Sequence, residues 1–203
     1  MFNYYLSTHE VKKLQIGSGP NKLPGWLNTD ALPPDHEVLP LDVSQRFPFE
    51  DNQFDYIFNE HMIEHIHFTT AQHMLRESFR VLKPGGRIRV TTPDLNFLIK
   101  IYQNPTDELY QRYLNWSTPL LIQWAPYTDP IFLFNNFVRE WGHTFIYDKN
   151  CLSNCLLAAG FTEITEHNIT ESDDPHLRDL ENYARMGKDF LQLESMTLEA
   201  VKK

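Results

Sequence analysis

The chain has 203 residues, a formal net charge of −9 and a sequence pI near 5.4, enough length for one domain with a substantial buried core. Its acidity is spread along the chain, which excludes the basic face that a nucleic-acid or anionic-membrane partner selects. No apolar run approaches the ~20 residues needed to span a bilayer. Met1–Glu10 lacks the basic start and apolar core of a secretory leader. The two cysteines, Cys151 and Cys155, stand four apart in a predicted helix. That spacing reads as two reduced thiols of a cytoplasmic protein, not a disulfide or a structural zinc site.

Short apolar runs come first. Leu14-Gln15-Ile16 leads into Gly17-Ser18-Gly19, Trp26-Leu27-Asn28-Thr29 into Asp30, Val38-Leu39-Pro40-Leu41 into Asp42, and Tyr56-Ile57-Phe58 into Asn59-Glu60-His61. Each reads as a strand that ends in a glycine or a polar residue. A helix follows, capped by Thr69 or Thr70, with Ala71, Met74, Leu75, Ser78, Phe79 and Leu82 at helical spacing. Lys83-Pro84-Gly85-Gly86 stops it in a tight turn before the strand Arg87–Thr92. From Leu95 to Trp141 the pattern is helical, proline-broken and aromatic. Tyr147–Asn150 then opens a helix over Cys151–Ala159 that ends at Gly160, and Phe161–Glu166 and Met196–Val201 read as two more strands. The pieces predict one α/β domain over 1–203: a Rossmann-like, mostly parallel sheet of about seven strands, its last strand antiparallel, with helices on both faces and 95–141 as a helical insertion or lid.

In an open α/β sheet, ligands bind beyond the carboxyl ends of the strands, where strand order reverses. A glycine turn lets a ligand approach the backbone, and a carboxylate after the second strand can accept both hydroxyls of a ribose. The ladder of strand ends therefore points to a nucleoside cofactor. Each position also has a purely structural reading, because Gly-x-Gly serves tight turns and Asp serves caps and turns.

The run Leu14–Asn21, together with Leu23–Asp30, Phe47–Ile57, Glu60–His65 and Arg80–Gly86, resembles the class I S-adenosylmethionine-dependent methyltransferases. Within them it is most similar to a small bacterial group with the same short glycine loop. The resemblance returns at Gly142–Asp148 and at the helix leading into Gly160-Phe161. It implies S-adenosylmethionine as cofactor. Gly17 and Gly19 would bend the loop under its methionine part, and Asp30 would bind the ribose. Asp42 and the Val43 backbone would face the adenine, and the Asn59 backbone would meet the amino group. Glu60 and His61 would line the floor near the methyl group, and Ser18 and Ala31 belong to the same cofactor set. One departure is clear: thirteen positions from Gly17 to Asp30 leave no room for a long helix, and Pro20 stands where a third glycine often falls.

His61, Glu64 and His65 fall on one face of a predicted helix, opposite Met62, Ile63 and Ile66. The string His-x-x-Glu-His also matches an inverted zinc-protease motif, but its place after a strand end in this ladder argues against that chemistry. Some methyltransferases with a related Glu-x-x-Glu-His run bind magnesium, which leaves an accessory metal open. The reading assigns no metal ligand and takes Glu64 and His65 as an ion-pairing cluster at the cofactor rim. The aromatic stretch Phe97–Tyr147, with about half of the aromatic residues, reads as an acceptor pocket, as packing, or as a homodimer interface. Within it His143 is the candidate general base, with His61 as second catalytic candidate. The expected activity is methyl transfer to a hydroxyl or amino group of a small molecule, a sugar or glycan precursor included, with no nucleic-acid or membrane partner. A catalytically inactive scaffold of the same fold, and an NAD-dependent oxidoreductase, are the competing readings.

Overall fold

A computed structural model describes residues 2–184 and 186–203. Among these residues seven strands form one sheet: β1 (Lys13–Ile16), β2 (Leu27–Asp30), β3 (Leu39–Pro40), β4 (Phe54–Glu60), β5 (Leu82–Pro93), β6 (Thr162–His167) and β7 (Ser195–Val201). Their order is β3-β2-β1-β4-β5-β7-β6. The first five run parallel, and β7 is antiparallel to both its neighbours. Strand order reverses between β1 and β4, which sets the ligand crevice at their carboxyl ends. Among the described residues the α-helices are α1 (Phe2–Thr8), α2 (Phe68–Val81), α3 (Leu95–Gln103), α4 (Glu108–Leu121), α5 (Pro130–Arg139), α6 (Lys149–Ala159) and α7 (Lys188–Glu194). No helix joins β1 to β2, β2 to β3 or β3 to β4, so the three connections before β4 are all loops.

Alternation along the strands sorts the two faces. Leu14, Ile16, Ile57, Ile88, Val90, Leu198 and Ala200 bury into the main core with Met74, Leu75 and Val81 of α2 and Leu152 and Leu156 of α6. The opposite face is smaller and more polar. Trp26, Phe58 and Leu177 form an apolar cluster there, beside Arg89, Thr91, Thr197 and Glu199, all at most 1 % exposed. The irregular segment 168–182 covers that face. Arg89 holds it down by donating to Glu181 and Glu199 (2.6 Å each) and to the carbonyl of Glu171 (2.8 Å). A second core joins α3, α4 and α5 around Phe97, Tyr113, Leu133 and Phe137, with Phe190 and Leu193 of α7 against it. Asp94, Asp107, Asp129 and Asp148 cap α3, α4, α5 and α6 through side-chain acceptance of backbone N–H groups.

Three local expectations are corrected. Neither Thr69 nor Thr70 caps α2, which begins at Phe68 with His67 in the cap position and no side-chain cap bond. Lys83–Gly86 is not a free turn but an irregularity inside β5: Phe54 of β4 pairs with Leu82, whereas Tyr56 pairs with Arg87. The glycines join the sheet because Gly85 N–H donates to Lys202 (2.6 Å) and Lys202 N–H donates to Gly86 (2.9 Å). Residues 61–66 form only a 3-10 turn at Ile63–His65, since His61 takes φ +46° and ends the strand without starting a helix.

Candidate cofactor and acceptor site

A cleft of about 700 Å³ opens at the carboxyl ends of β1, β2 and β4, within the size range of small-molecule sites. Residues 17–21 form one wall, Asp30 and Ala31 a second, Leu41 and Val43 a third, and Glu60 and His61 the floor. The glycine loop has a steric origin. Gly17 has φ +72°, and a Cβ there would lie 2.2 Å from Met62 Cγ; at Gly19 (φ +49°) the space in front is open. Ser18 N–H donates to Thr29 (2.9 Å), so the loop continues the β1–β2 pairing. Asp30 Oδ2 accepts the N–H of Gly19 at 2.8 Å, and its Oδ1 accepts that of Leu32 at 2.9 Å. From the β1 interior, Gln15 Nε2 donates to Asn21 (3.0 Å) and supports the loop from below.

The cleft gathers Gly17, Ser18, Gly19, Asp30, Ala31, Val43, Glu60 and His61. It does not gather the side chains of Asp42 and Asn59. Asp42 is exposed, and its Oδ1 accepts from both the Ser44 hydroxyl (2.7 Å) and N–H (2.9 Å); these bonds hold its carboxyl below the usual range. Asn59 is fully buried, and neither amide atom finds a partner among the described residues. Sequence reasoning missed Asn182, which also lines the cleft. Its N–H donates to Glu60 Oε1 (2.9 Å) and its Nδ2 to Asn21 Oδ1 (2.6 Å), linking floor to wall. Nothing in the irregular stretch around residue 182 advertises this role.

A second pocket of about 330 Å³ meets the first at His61 and His65. Leu121, Phe137, Trp141 and Met186 give it apolar walls, and His143 and Glu194 are its other polar groups. His61 stands between the two pockets. Its Nε2 lies 2.9 Å from Ser195 Oγ, and its Nδ1 lies 3.4 Å from Glu64 Oε1. Burial works against a charged His61, but the Glu64 carboxylate outweighs it and holds the imidazole above the ordinary histidine range. Burial likewise opposes the Glu64 charge, and His61 outweighs it, so that carboxyl is depressed. His143 goes the other way: burial lowers its pKa, with its bond to the Phe137 carbonyl (2.7 Å) opposing. A carbonyl only accepts, so His143 Nδ1 carries the proton and Nε2 keeps its lone pair.

Comparison with known proteins agrees with this geometry. A family model described as a methyltransferase domain matches residues 14–90. The chain is similar to the ubiquinone/menaquinone biosynthesis C-methyltransferase UbiE of Vibrio cholerae, 32 % identical over 128 residues, covering 63 % of this chain and 45 % of that protein. It is also similar to the demethylmenaquinone methyltransferase of Protochlamydia amoebophila, 29 % identical over 128 residues and covering 62 % and 47 %. The chain thus spans about half the length of these curated relatives. Among solved structures, a SAM-dependent methyltransferase from Archaeoglobus fulgidus superposes with a TM-score of 0.55 at 13 % identity, covering 99 % of this chain and 90 % of that one. Another from Mesorhizobium loti gives 0.51 at 13 % identity, covering 95 % and 91 %. These two likenesses speak for the fold. Sheet order, glycine loop and β2 carboxylate agree with the methyltransferase-domain match over residues 14–90, and the fold is the Rossmann-like methyltransferase fold.

Proposed function

We propose that this chain transfers the methyl group of S-adenosylmethionine to a small acceptor held against His61, His65 and the aromatic walls of the second pocket. The observation that carries this reading is the meeting of the two cavities at His61 and His65. The residues present fit the cofactor: the glycine loop leaves open space at Gly19, and Asp30 stands at the end of β2. When bound, the cofactor supplies an already activated sulfonium methyl group. The chain's own task is then to align the acceptor and exclude water. Phe137, Trp141 and Leu121 offer an apolar bed for a ring face. His143, neutral near physiological pH and with a free Nε2 lone pair, is placed to take the proton of an acceptor hydroxyl or amine. His61, drawn toward its protonated form by Glu64, positions rather than accepts. A hydroxyl- or amine-bearing small molecule, sugars included, suits this pairing of an aromatic bed with a proton acceptor.

The Vibrio cholerae relative favours a second acceptor reading, because its name assigns carbon methylation. Calorimetric titration with S-adenosylmethionine, with NAD as control, tests the cofactor. Micromolar binding of S-adenosylmethionine alone is expected; binding of NAD alone, or of neither, overturns the reading. Turnover with labelled cofactor over a panel of phenols, amines and sugars, with the site of the label read by mass spectrometry, separates heteroatom from carbon transfer.

A further inference from the structure

Glu64 lies wholly inside the protein, with 0 % of its surface exposed. Its two oxygens are treated differently. Oε2 accepts from the Thr92 hydroxyl at 2.9 Å, whereas Oε1 makes no well-formed hydrogen bond. Burying a carboxylate oxygen without a donor is costly, and native proteins seldom tolerate it unless something else satisfies the group. Two imidazoles face that oxygen. His61 Nδ1 is 3.4 Å away and His65 Nε2 is 3.9 Å away. A ring nitrogen of His143 completes a set with Glu64 and His65 whose ligand atoms all lie within 4.8 Å of one another. Two atoms bound to one ion at ~2.1 Å cannot be more than ~4.2 Å apart, so small side-chain rotations would close the set on a common centre.

The surroundings hold these ligands in place. The carbonyl of Glu64 accepts N–H groups from Thr144 (2.7 Å) and Phe145 (3.3 Å), which ties the loop carrying His143 to the turn carrying Glu64 and His65. Trp141 (φ +57°) and Gly142 (φ +77°) are both left-handed and swing the chain round immediately before His143. At Trp141 that conformation is costly for a side-chain-bearing residue, and such cost concentrates at functional sites. A Cβ at Gly142 would lie 3.5 Å from His65 Nδ1, so the turn packs close against the second histidine. The Phe137 carbonyl fixes the His143 tautomer with the Nε2 lone pair outward, the outer-shell arrangement that orients metal-bound imidazoles.

We infer that Glu64, His65 and His143 form a binding site for one divalent transition-metal ion on the wall shared by the two pockets. Two or three imidazoles and a single carboxylate suit zinc, cobalt, iron(II) or nickel; magnesium and calcium select oxygen ligands. With three protein ligands the ion keeps an open position toward the second pocket, where His65 and His143 both stand. For its catalytic meaning the inference rests on the proposed methyl transfer: His143 takes the acceptor's proton in the metal-free site, whereas in the loaded site its Nε2 would be a ligand, the acceptor oxygen or nitrogen would fill the open position, and the proton would leave to solvent. Metal uptake itself does not depend on that reading.

The test uses the untagged full chain, stripped with chelator and desalted. It is titrated calorimetrically with Co²⁺ and with Zn²⁺, while visible absorption follows the cobalt form and S-adenosylmethionine binding is measured in parallel. One ion per chain with an imidazole-type cobalt spectrum is expected. His65→Ala and His143→Ala should each weaken uptake by about tenfold or more, with thermal unfolding still cooperative. His65 is partly exposed, so this variant keeps the test open if changes at the buried Glu64 impair folding. No uptake of either ion, or uptake undiminished in the double variant, overturns the inference. Failure of metal uptake with S-adenosylmethionine still bound leaves methyl transfer standing. Metal uptake without cofactor binding keeps the site and removes the methyl-transfer reading.

Discussion

The carboxylate of Asp30 accepts the backbone N–H of Gly19 at 2.8 Å, across the mouth of the β1–β2 crevice. One side chain thus fixes the glycine loop and presents negative charge where a ribose would lie. Asp30→Ala should weaken S-adenosylmethionine binding by roughly ten- to a hundredfold, the worth of about 1.5–3 kcal/mol for hydrogen bonds to a charged acceptor. Asp30→Asn, which keeps one acceptor oxygen, should lose less. Calorimetry on both variants checks this, with thermal unfolding as control. Equal affinity in wild type and Asp30→Ala would reduce the residue to a loop brace.

Gly17 carries a different burden. Its φ of +72° and the Met62 side chain behind it leave no room for a methyl group. Gly17→Ala should lower stability by about 1–2 kcal/mol from the left-handed backbone alone, with a further loss from displaced Met62. Adding Met62→Ala should recover the steric part and not the backbone part. Chemical denaturation of the two variants separates the contributions. Full recovery in the double variant would contradict the backbone account.

The strand ends and their order were legible because β1, β2 and β4 read as short apolar runs and each stops on Gly17, Asp30 or Glu60. The motif around Phe47–Asp55 was recognisable, yet its reason was not. Arg80 of α2 donates to the carbonyls of Phe49 (2.9 Å) and Phe47 (3.1 Å), and Glu77 accepts the Phe47 N–H (2.7 Å). These bonds staple the β3–β4 connection to a helix some thirty residues on. Long-range pairings of this kind leave no periodic trace. The same holds for Lys202, whose ammonium donates to the Phe79 and Leu82 carbonyls (2.7 Å each) and closes the end of α2. The 61–66 stretch misled for a local reason: helical spacing was present, but His61 at φ +46° cannot begin a helix. Its three polar side chains converge nonetheless, because a 3-10 turn also brings positions three apart onto one side.

Arg89 is the third point of leverage. It is fully buried between Glu181 and Glu199, and Glu181 also accepts from Thr91 (2.9 Å) and from the Thr170 N–H (2.7 Å). Removing the guanidinium leaves two buried carboxylates without their cation. Arg89→Met should therefore cost about 3–5 kcal/mol. Because Glu181 directly precedes Asn182, the same change should release Asn182 from Glu60 and Asn21 and lower cofactor affinity. Replacing all three charged residues with apolar ones should restore most of the stability and not the affinity. The measurements are denaturant unfolding and calorimetry. An affinity unmoved in Arg89→Met would show that segment 168–182 and the cleft are energetically separate.

Acid should loosen the stapled connection at a predictable place. The Arg80 hydrogen bond is the largest influence on Glu77; with the Phe47 N–H it outweighs burial and holds the carboxyl below its ordinary value of 4.5. A carboxyl whose pKa is lower folded than unfolded binds more protons in the unfolded chain, so its contribution to stability is complete above the unfolded value. That contribution fades as pH falls through the depressed folded value. Wild type should then exceed Glu77→Gln in melting temperature at neutral pH, with a gap that narrows steadily below about pH 4.5 and vanishes once both states are protonated. Melting curves across that acid range are the measurement. A gap independent of pH would mean that Glu77 acts through shape and neutral hydrogen bonding alone, and that the Arg80 charge does not tighten the loop bearing Val43.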